Sequence, residues 1–525
     1  MSTALSQDHA LWKPQANPWM IAVSVMLSTF MEVLDTSIAN VALPHIAGSM
    51  SITPDDATWV LTSYLISNAV VLTAAGWLSR TFGRKRFLLT CISIFAIASV
   101  LAGAAPNFPF LIFALVIQGA GGGALQPSAQ AILLESFPVE KRGQAMGFYT
   151  FGVICAPVIG PTLGGWITDS FSWRWVFYIN IPVAMVAFLM VQTYVEDPPY
   201  IRHALKTKLD TVGFILLAVW IAALQIMLDK GQDADWFGAV WVRWFAAIAV
   251  LGFLAFIVWE LTSDAPLVNL RVLKNRNLLI GTILIFIVGI VLYATTALLP
   301  LFLQTIMGYS ALDSGLAVSP RGIGSVIGIL VIGRLTNLID NRFLMISALL
   351  ALAYSSFLLG HVDPEIGKFS VTWPIIINGF ATSMLFIPLT TTAVGTLRND
   401  QMGNATSIYN LMRNIGGAFG ISVTTALLSR ESQSSQNMLV SHTTQLNPVF
   451  NTRVHHLQGM FAAHAPAVTA HQQAFALIYQ SLVQQAGVMA YVFNFRLMAV
   501  LVLCCIPFVF FLKIPSHRSK PVNVH

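Results

Sequence analysis

The sequence predicts an all-α polytopic protein that crosses a membrane many times. Of its 525 residues, 56% are hydrophobic and only 10% are charged, whereas soluble domains carry about 25% charged residues. The mean hydropathy of the chain is +0.73. Apolar windows long enough to cross a bilayer as a helix, which takes about 20 residues, recur along the whole chain.

Fourteen such windows are predicted to be membrane spans. They lie at about residues 19–42, 57–78, 87–105, 108–134, 144–166, 173–193, 211–228, 239–262, 277–303, 311–332, 343–361, 371–394, 406–428 and 490–513. An even number of spans puts both termini on the same side of the membrane. Most of the 28 Lys and Arg residues flank the spans on that side. Because positive residues favour the cytoplasm, both termini are predicted to be cytoplasmic.

The charge and the cysteines argue against two other classes of protein. The net charge of +6 does not indicate nucleic-acid binding, because the basic residues lie at span ends rather than in one patch. The four cysteines all lie in apolar windows and are predicted to be buried packing residues, so neither a disulfide framework nor a metal site is expected. They are Cys91, Cys155, Cys504 and Cys505.

The chain also contains a weak internal sequence repeat. The stretch 76–82 (GWLSRTF) after the second span is similar to 333–339 (GRLTNLI) after the tenth, and the same separation aligns the fifth span with the thirteenth. This internal repeat favours two six-helix bundles that enclose a site near the middle of the membrane, as in secondary transporters. The bundles are predicted at residues 1–195 and 276–525, with a linker and two inserted helices at 196–275.

A long outer segment is predicted at residues 429–489. Its part 467–485 has the spacing of an amphipathic helix. Its five histidines lack metal-binding spacing, so a surface for a periplasmic partner is favoured over a metal or pH-sensing site. These histidines are His442, His455, His456, His464 and His471.

Two acids, Glu32 and Asp35, interrupt the first apolar window. Each costs roughly 2.5–3.5 kcal/mol at the centre of a bilayer. They are three residues apart, so they share one face of a helix. A chain that tolerates this cost usually binds a proton, an ion or a cationic substrate there, although a buried acid satisfied by its neighbours is the alternative.

Several motifs resemble one transporter family. They include 34–44 (LDTSIANVALP) in the first span, 152–165 (GVICAPVIGPTLGG) in the fifth, 177–182 (FYINIP), 224–232 (LQIMLDKGQ), 299–304 (LPLFLQ) and 413–420 (RNIGGAFG). The chain is similar to the major facilitator superfamily, in its fourteen-helix drug:proton antiporter branch of the EmrB/QacA type. The resemblance covers nearly the whole chain and implies that Asp35 is the protonation site.

The resemblance also identifies residues expected to control conformation. In the fifth span, glycines let helices approach closely and prolines bend the helix. These residues are Gly152, Pro157, Gly160, Pro161, Gly164 and Gly165. The loop 76–86 (GWLSRTFGRKR) resembles the family's latch between the two bundles, and it contributes Gly76, Gly83 and Arg84.

The chain departs from the family pattern at two positions. Arg80 stands where the family has an acid in the latch, and Leu115 stands where it has an arginine that is thought to tune proton release. A nearby positive charge favours an ionised carboxylate, so Arg413 or Arg321, which lie well inside predicted spans, are candidates to replace that arginine. The alternative for Arg321 is a purely structural role, in which its side chain extends to the membrane interface and anchors the helix there.

Glu32 either binds cationic substrate or shares a proton with Asp35 as a coupled pair. The predicted substrate cavity is lined by Glu32, Asn40, Gln118, Gln225 and Gln304.

The sequence therefore predicts a proton-coupled exporter of hydrophobic or amphipathic compounds in the inner membrane. Its expected partners are small-molecule substrate, protons, membrane lipid, a periplasmic membrane-fusion adaptor and an outer-membrane channel, and no cofactor is expected beyond the proton motive force. An exporter of one metabolite, such as a siderophore, peptide or fatty acid, is one alternative, and a non-transporting sensor or scaffold is another. An enzyme is disfavoured because the sequence has no P-loop, no G-x-S-x-G motif and no metal cluster.

Overall fold

A computed structural model shows a bundle of α-helices. It describes residues 14–513, apart from 53, 58, 139–140, 199–209, 232–233, 265, 310, 336–337, 362–367, 398–400, 445 and 463–465. The α-helices are α1 (Pro18–Met50), α2 (Pro54–Ala57), α3 (Trp59–Phe82), α4 (Arg84–Gly103), α5 (Phe108–Gly122), α6 (Leu125–Ser136), α7 (Arg142–Ser170), α8 (Trp175–Tyr178), α9 (Asn180–Tyr194), α10 (Thr211–Lys230), α11 (Val240–Thr262), α12 (Arg276–Thr305), α13 (Ala311–Val318), α14 (Pro320–Leu335), α15 (Asn341–Leu359), α16 (Lys368–Val394), α17 (Met402–Val440), α18 (Pro448–Ala462), α19 (Ala467–Leu503) and α20 (Ile506–Val509).

The predicted all-α membrane architecture is confirmed. Within the described residues, 13 helical segments are long and apolar enough to cross a membrane. The predicted span at 406–428 is missing from that set, although it lies inside the 39-residue helix α17. The reason is composition, because α17 buries polar side chains such as Asn404, Asn410 and Arg413 against other helices. A count of fourteen spans and cytoplasmic termini remain predictions.

Three groups of helices describe the packing, and we name them by chain order. The N-terminal group is α1–α9, the inserted pair is α10 and α11, and the C-terminal group is α12–α20. In the first group α1 packs against α6, α7 and α9, and in the last α12 packs against α17 while α14 packs against α16. The helix α10 of the inserted pair packs against α3 and α17 through a separate cluster that includes Trp77, Trp220 and Ile408, and α11 packs on α10. The division of the chain into bundles at residues 195 and 275 remains a prediction, and residues 199–209 of the predicted linker lie outside the described part.

The fourth predicted span is two helices rather than one. The helix α5 ends at Gly122 and α6 begins at Leu125, with a turn at Gly123 and Ala124. A methyl group at Gly123 would clash with the backbone of Asn68 on α3, so only glycine allows this approach. The turn lies between Gln118 and Gln126 and thereby positions both amides.

Two long helices carry much of the segment 429–489, which is predicted to lie on the outer side. At about 1.5 Å per residue, α17 and α19 are each about 55–60 Å long, whereas the hydrocarbon core of a bilayer is about 30 Å thick. Beyond the spans they contact each other where Gln436 Nε2 donates to the Tyr479 hydroxyl at 3.3 Å. The helix α18 packs on α19, where the Phe450 and Phe475 rings meet edge to face at 5.9 Å. The predicted amphipathic helix at 467–485 is helical, but it continues without a break into the last span.

Candidate functional site

Glu32 and Asp35 are both buried on α1, with exposed fractions of 6% and 2%. Water therefore contributes little to the solvation of either carboxylate, and neighbouring side chains must hydrogen-bond to each one. Although the two acids share a face of α1, their hydrogen-bond partners come from different helices. The site thus contains two distinct carboxylate environments.

The Glu32 carboxylate accepts hydrogen bonds from two amides. Asn68 Nδ2 on α3 donates to Oε1 at 3.1 Å, and Gln126 Nε2 on α6 donates to Oε2 at 2.7 Å. Tyr64 lies one turn before Asn68 on α3, and its hydroxyl accepts a hydrogen bond from Asn68 Nδ2 at 3.4 Å. A methyl group at Gly122 would clash with this hydroxyl, so the glycine leaves room for the cluster.

The same glutamine connects Glu32 to a cation on the C-terminal group. Arg413 on α17 donates from its terminal nitrogen to Gln126 Oε1. Only 4% of Arg413 is exposed, and its guanidinium lies 5.7 Å from the centre of the Phe386 ring. Glu32, Gln126 and Arg413 therefore form a hydrogen-bonded chain that joins α1, α6 and α17.

The Asp35 carboxylate lies in a cage of amides from the N-terminal group. Gln118 Nε2 on α5 donates to Oδ2 at 3.0 Å, and Asn180 Nδ2 on α9 donates to Oδ1 at 2.5 Å. Both amides also donate to Ser99 Oγ on α4, at 3.0 and 3.3 Å. Of the predicted cavity residues, Gln118 is thus a direct partner of an acid.

Other predicted site residues lie apart from the two acids. Arg321 NH1 donates to Thr296 Oγ1 at 2.7 Å, which ties α14 to α12. Asn40 and Gln304 are exposed and Gln225 is half-buried, and none of the three hydrogen-bonds to Glu32 or Asp35. Of the two arginine candidates, Arg413 is the one that reaches the acid cluster.

Among the latch residues, Gly76 lies where the two large groups meet. A methyl group at Gly76 on α3 would lie 2.9 Å from the Gly403 carbonyl oxygen on α17, so the two backbones are in close contact. Gly83 has φ +88°, a left-handed conformation that favours glycine, and a Cβ there would lie 3.0 Å from Asp197 Oδ2. The other oxygen of Asp197 accepts from Lys85 N at 2.9 Å. Arg80, which stands at the family's acidic position, donates from Nε to the Gly76 carbonyl at 3.2 Å.

Arg84 forms a buried ion pair that sequence analysis did not predict. Its NH2 lies 2.5 Å from Glu135 Oε1 at the end of α6, and the two side chains are 3% and 2% exposed. The signal for this pair was an isolated acid at the end of the fourth span. Leu115, at the family's arginine position, is a buried apolar side chain.

Three glycines of α7 face α1. A Cβ at Gly160 would lie 2.6 Å from Ser37 Cβ, one at Gly164 would lie 3.0 Å from Ile38 Cγ2, and one at Gly152 would clash with the Met26 side chain. A Cβ at Gly165 would meet nothing within 4 Å. The ring of Pro157 is exposed, and the side chain of Pro161 lies outside the described residues.

Sequence analysis missed the amides that hold the two acids, namely Asn68, Gln126 and Asn180. Each is a buried amide inside an apolar window, and such a group needs a buried partner. That signal could have drawn attention to them. It could not have assigned each amide to one of the two acids.

Comparison with known proteins places the chain in a family. The family model of the Major Facilitator Superfamily matches residues 25–421. The chain is 34% identical over 497 residues to the multidrug export protein EmrB of Escherichia coli strain K12, covering 94% of this chain and 95% of that protein. It is also 34% identical over 514 residues to the fatty acid resistance protein FarB of Neisseria gonorrhoeae, covering 98% and 99% of the two chains.

Solved structures support the fold independently. The human organic anion transporter MFSD10 superposes with a TM-score of 0.62 at 13% identity, covering 94% of this chain and all of that one. A double-tryptophan mutant of XylE gives a TM-score of 0.61 at 14% identity, covering 94% and 96%. These likenesses concern the fold alone, and they agree with the helical bundle described above. The chain is therefore a multi-pass inner-membrane protein that belongs to the major facilitator superfamily, in its EmrB-type branch.

Proposed function

We propose that this protein is a proton-coupled multidrug exporter that moves hydrophobic or amphipathic compounds by alternating access. The observation that carries the proposal is the pair of buried acids on α1, one of which is linked through Gln126 to Arg413 on the C-terminal group. The full-length similarity to a protein named for multidrug export supports the substrate class. Transport rather than catalysis is the function of this family, and we propose no enzymatic activity and no cofactor.

Burial makes the charge on each acid depend on its surroundings. An ionised carboxylate in a dry site needs donors or a nearby cation, and loss of either favours the protonated form. Movement of the two groups past each other changes those surroundings at the seam where Gln126 meets Arg413. Proton binding and group movement are thereby linked, which is the requirement for exchanging protons for cargo.

The available driving force is adequate for export. One proton crossing about 100 mV releases roughly 2.3 kcal/mol, and each pH unit adds about 1.4 kcal/mol. At 100 mV and one pH unit the two contributions sum to about 3.7 kcal/mol. Since 1.4 kcal/mol corresponds to a tenfold concentration ratio, one proton then sustains a gradient of roughly 400-fold.

The test is Asp35→Asn in the full-length protein, assayed for proton-dependent efflux in inverted vesicles. We expect loss of efflux, because the amide keeps the size of the side chain but cannot release a proton. The exposed acid Asp264 supplies the control, and Asp264→Asn should transport like the unsubstituted protein. Wild-type rates in Asp35→Asn would disprove the coupling assignment.

We further propose that the outer part of α17, α18 and α19 binds a periplasmic membrane-fusion adaptor that leads to an outer-membrane channel. Large apolar side chains are exposed on α18, with Val449 at 74% and Met460 at 60% exposure, while Val454 on the same helix is buried. Exposed apolar patches mark interaction surfaces. Val449→Gln with Met460→Gln should abolish copurification with a coexpressed adaptor and leave the yield of folded protein unchanged. Undiminished copurification would contradict this proposal.

A dedicated exporter of fatty acids is the second candidate, favoured by the near full-length similarity to a fatty acid resistance protein. The two candidates differ in breadth. Proteoliposomes given a panel of cationic dyes, neutral antibiotics and long-chain fatty acids should show proton movement with many compounds if the first holds. Proton movement with fatty acids alone would favour the second.

A further inference from the structure

Gln126 contacts a carboxylate and a guanidinium that belong to different helix groups. Its Nε2 donates to Glu32 Oε2 at 2.7 Å, and its Oε1 accepts from Arg413. The side chain is 7% exposed, so water does not compete for either bond. An amide has a donor end and an acceptor end, and this one is used at both ends.

Asp35 has no comparable link across the seam among its described hydrogen bonds. Its donors, Gln118 and Asn180, both belong to the N-terminal group and move with α1. Separation of the two groups would leave the Asp35 cage intact. The same separation would remove Arg413 from Gln126 and weaken the support of the ionised Glu32 carboxylate.

Arg413 is the one cation among the ionisable groups described around Glu32. Asp35 lies on the same helix, Tyr64 faces Glu32 from α3, and Tyr149 faces it from α7. The two tyrosines are neutral at ordinary pH. Among these described groups, Arg413 is therefore the one whose positive charge favours ionised Glu32, and it reaches Glu32 through Gln126.

We propose that Gln126 is a positioning residue that links protonation of Glu32 to the contact between the N-terminal and C-terminal groups. Glu32 then carries a proton whose binding depends on that contact, in addition to the proton proposed for Asp35. Contact between the groups favours release of this proton, and separation favours its uptake. The assignment deepens the proposed exchange of protons for cargo and rests on it for its role in transport.

The chain offers a matched control one turn along α6. Gln130 is fully buried, and its Oε1 accepts from Asn410 Nδ2 on α17 at 2.8 Å. Gln130→Met removes a hydrogen bond between the same two helices but touches neither acid. Gln126→Met has similar volume and removes both the donor to Glu32 and the acceptor for Arg413.

The first measurement is the pH profile of substrate-driven proton exchange in proteoliposomes containing the full-length protein. We expect Gln126→Met to move the midpoint upward by about one pH unit, roughly a tenfold change in proton affinity, because ionised Glu32 loses a donor. Gln130→Met should change the rate without moving the midpoint. Gln126→Glu, which keeps an acceptor for Arg413 but adds negative charge beside Glu32, should move the midpoint upward as well.

The second measurement does not depend on transport. Spin labels at Phe82→Cys on α3 and Leu338→Cys after α14, both exposed, report the distance between the groups in a background without native cysteines. We expect this distance to change with pH, the midpoint to rise in Gln126→Met, and the response to disappear in Glu32→Gln. A pH-dependent distance without transport would count against the proposed function and for the link. Equal midpoints in Gln126→Met and Gln130→Met, or a response that survives Glu32→Gln, would overturn the link.

Discussion

The two large helix groups meet along two seams of opposite character. One seam, formed by α3 and α6 against α17, is polar on its α6 side, with Thr406 Oγ1 donating to the Pro127 carbonyl at 3.3 Å beside the Gln130–Asn410 and Gln126–Arg413 contacts. The other seam, formed by α7 against α14 and α16, is apolar where Gly147 faces Ile329 and Ile387. Directional hydrogen bonds fix one register, whereas apolar contacts tolerate sliding. We infer that the polar seam sets the position of the groups and the apolar seam permits their movement.

The largest loss of stability should come from breaking the buried ion pair between Arg84 and Glu135 next to the polar seam. Arg84, which pairs with Glu135, lines a small gap together with Gly76 and Gly403. Removing one member of a buried pair leaves an uncompensated charge and costs about 3–5 kcal/mol. Arg84→Met should therefore lower the unfolding temperature in detergent markedly.

The double substitution Arg84→Met with Glu135→Leu supplies the control. It should restore most of the lost stability, because no unpaired charge remains. If Arg84→Met unfolds at the wild-type temperature, the ion pair does not contribute to the stability of the fold.

A glycine series compares the seams directly and should give smaller effects. A Cβ at Gly76 would lie 2.9 Å from a backbone oxygen of Gly403, and neither backbone can yield cheaply. We expect Gly76→Ala to cost about 1–3 kcal/mol and to slow transport. At Gly147 the Cβ would meet the flexible ends of Ile329 at 3.3 Å and Ile387 at 3.5 Å, so Gly147→Ala should cost less.

The smallest loss of stability is expected for a substitution at Gly333, the position that corresponds to Gly76 in the internal sequence repeat. A Cβ at this position would meet nothing within 4 Å, so Gly333→Ala should be close to neutral in both thermal stability and transport. An equal cost at Gly76 and Gly333 would show that the close contact of Gly76 with Gly403 does not determine the cost of the substitution.

The architecture was predictable from the sequence, and most of the contacts were not. Membrane-length apolar windows determine helices locally, so the bundle and the burial of Glu32 and Asp35 followed from composition and spacing. The break between α5 and α6 depends on how closely Gly123 approaches Asn68, which is a contact between helices. The low hydropathy of α17 likewise reflects the polar seam that it forms, not a loop.

The partners of the two acids were beyond sequence reasoning for a related reason. Asn68, Gln126 and Asn180 lie in three different helices, and helical periodicity gives the face of a residue but not the helix it meets. Arg413 and Arg321 were both candidates from the sequence, since both lie well inside predicted spans. The structure adds that Arg413 reaches Glu32 by way of an amide rather than directly.

The uninterrupted length of α17 has a mechanical consequence. Arg413 lies near the acids, and the end of the same helix at Val440 lies about 40 Å further along its axis. A rigid rod that tilts by about 10° around Arg413 would carry its far end sideways by about 7 Å. A small change in the contacts of Arg413 would thus be amplified into a displacement of several ångströms at the Val440 end of α17.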